Sequence, residues 1–351
     1  MAAASRATVG FLTWSSSVPT GGNVYDDRLA QALLAAGTDL RRHHVRGVWP
    51  RESEQHRAEV AAVLQSQPVW LVDSIIACAV PDLVIEATER GQRMTVLLHS
   101  LLSSELGLSE ADQRRYRELE SAALRAASRV ITPSRWAADD VRQRYGITDT
   151  VVAHPGVDAS PITAASPGGN RLLSLGSLTP TKDQLGFVAA LGRVAHLPWS
   201  ARLVGGDEVR LDYTAELRRS IRQQRLDPRI TITGPLTGSA LDAVWADTDL
   251  LVLSSRSETY AMVVAEALAH GIPAVVTAET GAVEALGEVE GVPPGTAVPA
   301  GDTGALAAVL QRWLTDPRLR DGWRAAARRR RDTLTSWSDC AAIVLAAVVD
   351  P

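Results

Sequence analysis

The chain has 351 residues, of which 46% are hydrophobic and 22% charged, and its formal net charge is −4 at pH 7. This length suits two domains with sizeable cores, whereas the slightly acidic balance argues against a nucleic-acid partner, which usually calls for a basic surface. The two cysteines, Cys78 and Cys340, lie too far apart for a disulfide framework or a metal-ligand motif, so we expect a cytoplasmic protein. The N-terminus lacks the features of a signal peptide, and no apolar run approaches the ~20 residues of a membrane span.

The first half of the chain alternates short apolar runs with helical patterns. The stretch "ATVGFLTW" predicts a first strand, and "GGNVYDDRLAQALLAAG" predicts a glycine turn that enters an amphipathic helix with one apolar face. Residues 109–127 predict a helix that is charged on one side. Four further runs read as strands: "PVWLVDS", "DLVIEAT", "RMTVLLHS" and "SRVITPS". Continuous apolar runs with helices between them are typical of a parallel sheet that is covered on both faces.

A stretch rich in Pro, Gly, Ser and Ala, "VVAHPGVDASPITAASPGGNR", interrupts this pattern, which then restarts with alternating strands and helices. We therefore predict an α/β protein with two doubly wound parallel-sheet, Rossmann-like domains facing each other across a cleft. Ligands of such sheets bind at the carboxyl ends of the strands, so we expect the site there. The predicted parts are an N-terminal domain (1–157), a linker (158–170), a C-terminal domain (171–335) and a last helix (336–351) that packs back toward the N-terminal domain.

Lys182 is the only lysine in the chain, since the other 35 of the 36 basic residues are arginines. It lies in "LLSLGSLTPTKDQLGF", shortly after a predicted strand and just before a predicted helix. A helix N-terminus offers free N–H groups and partial positive charge to an anion, and a lysine beside it adds a point charge. We interpret Lys182 as a phosphate-binding residue; the alternative is a solvated lysine at the start of a helix.

A second group of polar residues lies in "SSRSETYAMVVAEALAHGIPAVVT". Glu258 follows a strand, and Glu266 is expected about two turns into the next helix. The helix N-terminus near Thr259, Tyr260 and Ala261 offers N–H groups to an anion, and the carboxylates suit sugar hydroxyls. Apolar neighbours indicate that Glu266 is semi-buried and needs a partner. The alternatives are that Glu258 only caps the helix and that Glu266 faces solvent.

Other classes of protein are less well supported. No G-x-G-x-x-G follows a strand, which argues against a dinucleotide oxidoreductase, and the absence of G-x-x-x-x-G-K-[ST] excludes a P-loop enzyme. The arginine-bearing stretch "RRYRELESAALRAASR" could meet an anionic lipid surface or an acidic acceptor, although such a face is more often simply solvated.

The order of motifs resembles that of the retaining glycosyltransferases of family 4, which have the two-domain GT-B fold. The resemblance spans about residues 8–330 and rests on six motifs in the same order. They are Gly21-Gly22, "TVLLHS" with His99, "VITPSRWAADDV", "HPGVD" at the domain junction, "LGSLTPTKD" with Lys182, and Glu258 followed after seven residues by Glu266 and "GIPAVV".

The resemblance implies a role for each of these residues. Lys182 would bind the diphosphate of a nucleotide-sugar and stabilise the leaving group, and Glu266 would hold the ribose hydroxyls. Glu258 would hold the donor sugar, together with the backbone of the three residues after it (Thr259, Tyr260 and Ala261). His99 would contact the sugar near the reacting carbon, unless it is a core histidine at a strand end. Gly21 and Gly22 would let the backbone approach the donor.

The main departure from the family pattern is Ser177, which stands where the family usually has an arginine on the diphosphate. Ser177 can donate a hydrogen bond but carries no charge. Either another arginine, for which Arg256 and Arg135 are the choices, reaches the phosphate, or the site depends more heavily on Lys182.

The implied reaction is sugar transfer with retention at the anomeric carbon. Lys182 and the helix N-terminus would stabilise the departing phosphate, so we expect no metal and no cofactor. The expected partners are a nucleoside diphosphate sugar and a small-molecule, lipid or glycan acceptor, with at most peripheral membrane contact. Two alternatives stay open: an epimerase or phosphorylase on the same fold, and a non-catalytic sugar-nucleotide-binding protein, which the missing arginine at Ser177 keeps open.

Overall fold

The computed structural model describes residues 8–15, 20–47, 49–51 and 53–349, so Ala7, the first residue of the predicted first strand, lies outside the described ranges. The chain divides into two compact units. The first is Met1–Gly156 with Thr335–Pro351, and the second is Val157–Leu334. Within the described ranges each unit contains one six-stranded sheet whose paired strands all run parallel. The predicted fold class, α/β with doubly wound parallel sheets, is confirmed.

In the first unit the strand order is β2-β1-β3-β4-β5-β6. The central strands are buried almost throughout, which explains their continuous apolar character. The strands are β1 (Val9–Trp14), β2 (Leu40–Val45), β3 (Val69–Asp73), β4 (Arg93–Leu97), β5 (Arg129–Thr132) and β6 (Thr150–Val152). The helices are α1 (Gly21–Ala35), α2 (Glu54–Leu64), α3 (Ser74–Ala79), α4 (Pro81–Glu89), α5 (Glu110–Ala126), α6 (Arg135–Tyr145) and, from the end of the chain and therefore numbered last, α14 (Trp337–Val349).

One predicted strand of this unit is wrong. The run "DLVIEAT" lies in helix α4, which begins at Pro81, a residue whose missing N–H is tolerated in the first turn. Leu83, Val84 and Ala87 are buried at helical spacing, while Ile85 between them is 36% exposed. A short apolar run fits a buried strand and a buried helix equally well, so periodicity did not separate the two.

In the second unit the strand order is β12-β11-β10-β7-β8-β9. The strands are β7 (Arg171–Leu175), β8 (Ser200–Val204), β9 (Ile230–Gly234), β10 (Leu250–Val252), β11 (Ala274–Thr277) and β12 (Gly295–Val298). The helices are α7 (Gln184–Arg193), α8 (Leu211–Gln223), α9 (Gly238–Ala246), α10 (Met262–Ala269), α11 (Ala282–Leu286), α12 (Thr303–Thr315) and α13 (Pro317–Arg330).

Residues 158–170, predicted as a linker, belong to the second unit and are hydrogen-bonded to it. The Oγ1 of Thr163 donates to the carbonyl oxygen of Trp245 at 3.0 Å, and the Oγ of Ser166 donates to Asp249 at 2.6 Å. Arg171 also donates to Asp249, and these hydrogen bonds hold the pKa of the Asp249 carboxyl below its ordinary value although burial acts to raise it. The segment is therefore anchored rather than free.

The helical segments at the end of the described chain bear on whether it could span a membrane. No single helix in the described part of the chain is both long and apolar enough to cross a membrane; the bent pair Pro317–Thr333 and Trp337–Val349 meets that test jointly, by length and composition alone.

Candidate functional site

The loop that carries Lys182 is held by the ends of two adjacent strands of the second unit. After β7, the N–H of Gly176 donates to the carbonyl oxygen of Val204, at the end of β8, at 2.8 Å. A Cβ at Gly205 would lie 2.0 Å from the carbonyl oxygen of Gly176, so glycine is required for this close approach. The chain then forms a 3₁₀ turn over Pro180–Lys182, and α7 begins two residues after Lys182. Lys182 thus lies at the carboxyl end of the sheet and directly before a helix.

Lys182 and Glu258 form an ion pair. The Nζ of Lys182 donates to Oε1 of Glu258 at 2.6 Å, and the two side chains are 32% and 8% exposed. Glu258 is fixed from its own backbone, since its carbonyl oxygen accepts from the N–H of Gly281 at 2.8 Å. The two residues that sequence reasoning chose separately are therefore in direct contact.

Helix α10 begins with an unusual residue. Its N-cap, Ala261, has φ +71° and ψ +72°, a left-handed conformation that favours glycine, and no side-chain hydrogen bond caps the helix. A Cβ at Gly281 would lie 2.0 Å from the carbonyl oxygen of Thr259, so the loop containing Thr259 and Tyr260 lies tightly against Gly281. The side chain of Ala261 cannot accept from the first N–H groups of α10, and the N–H of Val264 donates to the carbonyl oxygen of Ala261 at 2.9 Å.

Glu266 lies one turn into α10, not two as predicted, because the helix begins only at Met262. Its side chain is partly buried, in agreement with the apolar neighbours seen in the sequence. Burial raises the pKa of Glu266 to about 7, and the negative charge of Asp158 acts in the same direction. This carboxyl group can therefore hold a proton near neutral pH.

Ser177 stands where the family usually has an arginine. Its carbonyl oxygen accepts a hydrogen bond from Nε2 of Gln184 at 3.0 Å. Arg256 reaches the same loop from the end of β10. Its N–H donates to the carbonyl oxygen of Thr181 at 2.7 Å, and its Nε donates to Oδ2 of Asp183 at 2.6 Å. Its side chain remains 41% exposed. Arg135, the other choice, is an exposed residue at the start of α6 in the first unit.

In the first unit His99 follows β4 and contacts two buried carboxyl groups. Its Nε2 lies 2.8 Å from Oδ1 of Asp26, on α1, and 3.9 Å from Oδ2 of Asp73, the last residue of β3. Gly21 and Gly22, predicted in the loop after β1, instead form the first residues of α1, behind the N-cap Thr20. A Cβ at Gly22 would lie 3.2 Å from Cδ2 of His99, so this end of α1 lies against the imidazole.

The contacts in this cluster change the pKa values of His99 and Asp73. Burial lowers the pKa of His99, but the charges of Asp26 and Asp73 outweigh it and raise this pKa to about 9. Burial raises the pKa of Asp73 to about 7, an effect that His99 opposes and Asp26 reinforces. His99 is therefore mainly an imidazolium at neutral pH, where Asp73 can hold a proton.

Sequence reasoning missed both Asp26 and Asp73. A signal for Asp73 was available, because it ends the buried strand "VWLVD" and pairs in register with Leu97, two residues before His99. Parallel strands bring residues at their carboxyl ends together. Asp26 follows Tyr25 on a helix whose orientation the sequence does not reveal.

Two sequence families match the chain. The family described as "Glycosyl transferases group 1" matches residues 157–330, and "Glycosyltransferase Family 4" matches residues 73–160. The glycogen synthase of Mycobacterium tuberculosis is 28% identical over 241 residues, which are 67% of this chain and 57% of that protein. The chain thus spans little more than half the length of this curated relative.

Solved structures share the fold over nearly the whole chain. Sucrose-phosphate synthase from Thermosynechococcus elongatus has a TM-score of 0.76 and 20% identity, covering 95% of this chain and 97% of that one. Anabaena HepE, in complex with UDP and glucose, has a TM-score of 0.75 and 20% identity, covering 95% and 98%. At this level of identity the similarity establishes the fold.

Proposed function

The chain belongs to the family 4 type of GT-B glycosyltransferases, and on that basis we propose that it transfers a sugar from a nucleoside diphosphate sugar to an acceptor hydroxyl, with retention of the anomeric configuration and without a divalent metal. The two family matches together extend from residue 73 to residue 330 and support the resemblance inferred from the motifs.

The observation that carries the proposal is the contact between Lys182 and Glu258. An ammonium has three N–H donors and Glu258 accepts from it at 2.6 Å, so further donors can serve the phosphate oxygens of a donor. In the proposed reaction the bond between the anomeric carbon and the phosphate oxygen breaks, and negative charge grows on the departing diphosphate. Lys182 would stabilise that charge, aided by the partial positive charge at the N-terminus of α10. This supply of positive charge is why we propose a metal-independent reaction.

The remaining residues of the second unit would bind the donor sugar and the ribose. Glu258 and the backbone of Thr259, Tyr260 and Ala261 would take the sugar, and Glu266 would take the ribose hydroxyls. A carboxyl group with a pKa of about 7 can both accept and donate hydrogen bonds near neutral pH, which suits a pair of hydroxyls.

In the first unit we propose that His99 contacts the transferred sugar, with Gly21 and Gly22 allowing the backbone close to it. As an imidazolium, His99 would donate a hydrogen bond to a sugar hydroxyl. The acceptor would be a small molecule, lipid or glycan hydroxyl. UDP is the first nucleotide to test, because HepE was solved with UDP and glucose.

Ser177 favours a second candidate, a protein that binds the sugar nucleotide without transferring the sugar. With no charge at this position, the proposed phosphate site has Lys182 as its main cation, while Arg256 is engaged with Asp183. Such a protein would be stabilised by nucleotides but would release no sugar.

Thermal unfolding in the presence of UDP, GDP, ADP or dTDP, with EDTA throughout, tests the donor site. A ligand at 100 times its Kd adds about 2.7 kcal/mol to the free energy of unfolding. We expect one nucleotide to stabilise the wild type and the exposed control variant Arg219→Met, but not Lys182→Met. No stabilisation by any nucleotide would contradict the proposed donor site.

A second measurement separates the two candidates. Release of free sugar from the matching sugar nucleotide, followed by ¹H NMR of the anomeric proton, reports both transfer to water and its stereochemistry. A product that first forms with the donor's configuration supports the retaining reaction. An inverted product contradicts it, and stabilisation without any sugar release supports the binding protein.

A further inference from the structure

The cluster of Asp26, Asp73 and His99 in the first unit is not accounted for by the motifs. One carboxylate oxygen from each aspartate and a ring nitrogen of His99 lie within 4.8 Å of one another. Asp26 and Asp73 are 1% and 0% exposed, and the side chain of His99 is 9% exposed. Burial of two carboxyl groups carries a large desolvation penalty unless they are partnered, so this arrangement needs an explanation.

We propose that Asp26 is a positioning residue for His99: it accepts the Nε2–H of the imidazole and so fixes both the tautomer and the plane of the ring. This inference rests on the proposed function, in which His99 contacts the transferred sugar.

The contacts around the ring leave it little freedom. Oδ1 of Asp26 lies 2.8 Å from Nε2, which is a hydrogen bond, while Oδ2 of Asp73 at 3.9 Å is an electrostatic neighbour only. The ring of Tyr25 lies edge-on to His99 with a centroid distance of 5.1 Å, and a Cβ at Gly22 would lie 3.2 Å from Cδ2 of the imidazole. The backbone N–H of His99 donates to Oγ of Ser74 at 3.2 Å.

The hydrogen bond to Asp26 decides which ring nitrogen is used. A neutral imidazole carries one N–H, and an acceptor at Nε2 holds the proton there. In the cationic form both ring nitrogens carry a hydrogen. When the ring loses its charge at high pH, the hydrogen at Nε2 remains in the hydrogen bond to Asp26, and Nδ1 is the nitrogen that is deprotonated.

Asp73 adds a second buried carboxyl group to the cluster, 3.9 Å from Nε2 of His99. A carboxyl group beside Asp26 that is itself half-protonated near pH 7 limits the negative charge buried here. Four other titratable groups among the described residues lie near the cluster. One is Cys78 on α3, whose thiol pKa is raised by burial and by the charges of Glu120 and Asp73. Tyr25 lies on α1, Cys340 on α14 contacts the hydroxyl of Tyr25 at 3.2 Å, and His44 on β2 lies near enough to Asp26 to feel its charge.

The geometry favours a hydrogen bond over a tetrahedral zinc centre. Tetrahedral zinc with ligand bonds of about 2.0–2.1 Å separates its ligand atoms by about 3.3 Å. Nε2 and Oδ1 of Asp26 are closer than this, at 2.8 Å, as a shared proton requires.

Nitrogen-15 NMR of histidine-labelled wild-type protein tests the inference without any substrate. The His99 signal is identified as the one that is missing from the spectrum of His99→Gln. We expect it to titrate well above the ordinary histidine range and to give the Nε2–H tautomer once neutral. A neutral His99 with its hydrogen on Nδ1 would overturn the proposal. A His99 signal that EDTA changes and Zn²⁺ then restores would also overturn it. Because this measurement needs no variant of Asp26, it holds even if such a variant fails to fold.

The matched pair Asp26→Asn and Asp27→Asn tests the consequence for activity. Asp27 is the next residue on the same helix, is 57% exposed and pairs with Arg42. In Asp26→Asn we expect the titration of His99 to move to lower pH by at least one unit. For sugar release, kcat should fall about 10–100-fold, while KM should change less than about 3-fold. The alkaline limb of the pH–rate profile should move together with the titration of His99. Asp27→Asn should change none of these.

Equal behaviour of the two variants would overturn the positioning role. If the wild type released no sugar at all, the proposed function would fail, whereas the tautomer and titration of His99 would still decide whether Asp26 holds the ring.

Discussion

The Nζ of Lys182 lies 2.6 Å from Oε1 of Glu258, although the two residues are 76 positions apart in sequence. The carboxylate is nearly buried and the ammonium is about one-third exposed, so each is partly desolvated. In the proposed reaction the same ammonium must also serve a diphosphate. The pair therefore links the affinity for the nucleotide to the residue proposed to hold the sugar.

Glu258→Gln should change nucleotide binding and sugar transfer in opposite directions. The amide removes the negative charge beside Lys182, so the ammonium becomes a better partner for free UDP or whichever diphosphate binds. A partly exposed ion pair contributes about 0.2–1 kcal/mol, which corresponds to a Kd lowered by about 1.5–5-fold. Isothermal titration calorimetry measures this Kd, and sugar release should fall at least about 10-fold in the same variant.

The exposed control for this variant is Glu216→Gln, on α8, which should leave both quantities unchanged. A weaker nucleotide affinity in Glu258→Gln would show that Glu258 orients Lys182 rather than competing for it.

Ala261→Gly should stabilise the protein. Ala261 has φ +71°, and a left-handed conformation costs a residue with a Cβ about 1–2 kcal/mol. Glycine removes that strain but adds freedom to the unfolded chain, so we expect a net gain of about 0.5–1 kcal/mol in the free energy of unfolding. Urea denaturation measures it.

Ala265→Gly, within the same helix, is the matched comparison, since its residue has ordinary helical geometry and is buried. In Ala265→Gly the free energy of unfolding should fall by about 1 kcal/mol. Equal losses in the two variants would mean that the backbone at Ala261 is not strained.

Glu266 should make stability depend on pH. Its folded-state pKa of about 7 lies above the ordinary 4.5, so between these values the folded protein binds more protons than the unfolded chain. The free energy of unfolding therefore falls as pH rises through this window. Glu266→Gln should be more stable than the wild type at pH 8 by about 1–2 kcal/mol, allowing for partial exposure, and the difference should shrink toward pH 5.

Urea denaturation at both pH values checks this expectation. In a separate measurement, the affinity of Glu266→Gln for the nucleotide-sugar should be weaker than that of the wild type if Glu266 binds the ribose. A constant difference between variant and wild type from pH 5 to pH 8 would argue that Glu266 ionises normally.

Tyr145→Phe should destabilise the first unit. The hydroxyl of Tyr145 donates to the buried carboxylate of Glu120, which also accepts from the N–H of Ser103 at 3.0 Å and its Oγ at 2.6 Å. This network joins α5 and α6 to the turn that follows His99. Loss of one hydrogen bond to a charged group costs about 1.5–3 kcal/mol.

The comparison variant is Tyr116→Phe on α5, a partly exposed tyrosine that should change the free energy of unfolding by less than about 0.5 kcal/mol. A Tyr145→Phe loss no larger than this would mean that water replaces the hydroxyl at Glu120.

Several features were predictable from the sequence because each depends on a local pattern. The apolar runs of β3 and β4 indicated buried parallel strands, and the position of Lys182 between a strand and a helix held in the structure. Strand β2, "LRRHHV", was not predicted, because an edge strand is only half-buried and tolerates charged residues that hide its period.

Apolar periodicity and motif order were enough to predict the two parallel sheets and the resemblance to the family, because both are patterns in the order of the residues. The contacts of Lys182 with Glu258 and of Asp26 with His99 could not be predicted in this way. These pairs are 76 and 73 residues apart, and their contact depends on strand order and helix orientation, which arise from packing of the whole sheet. The left-handed backbone at Ala261 is decided in the same way, because surrounding contacts hold an alanine where its own preference would not.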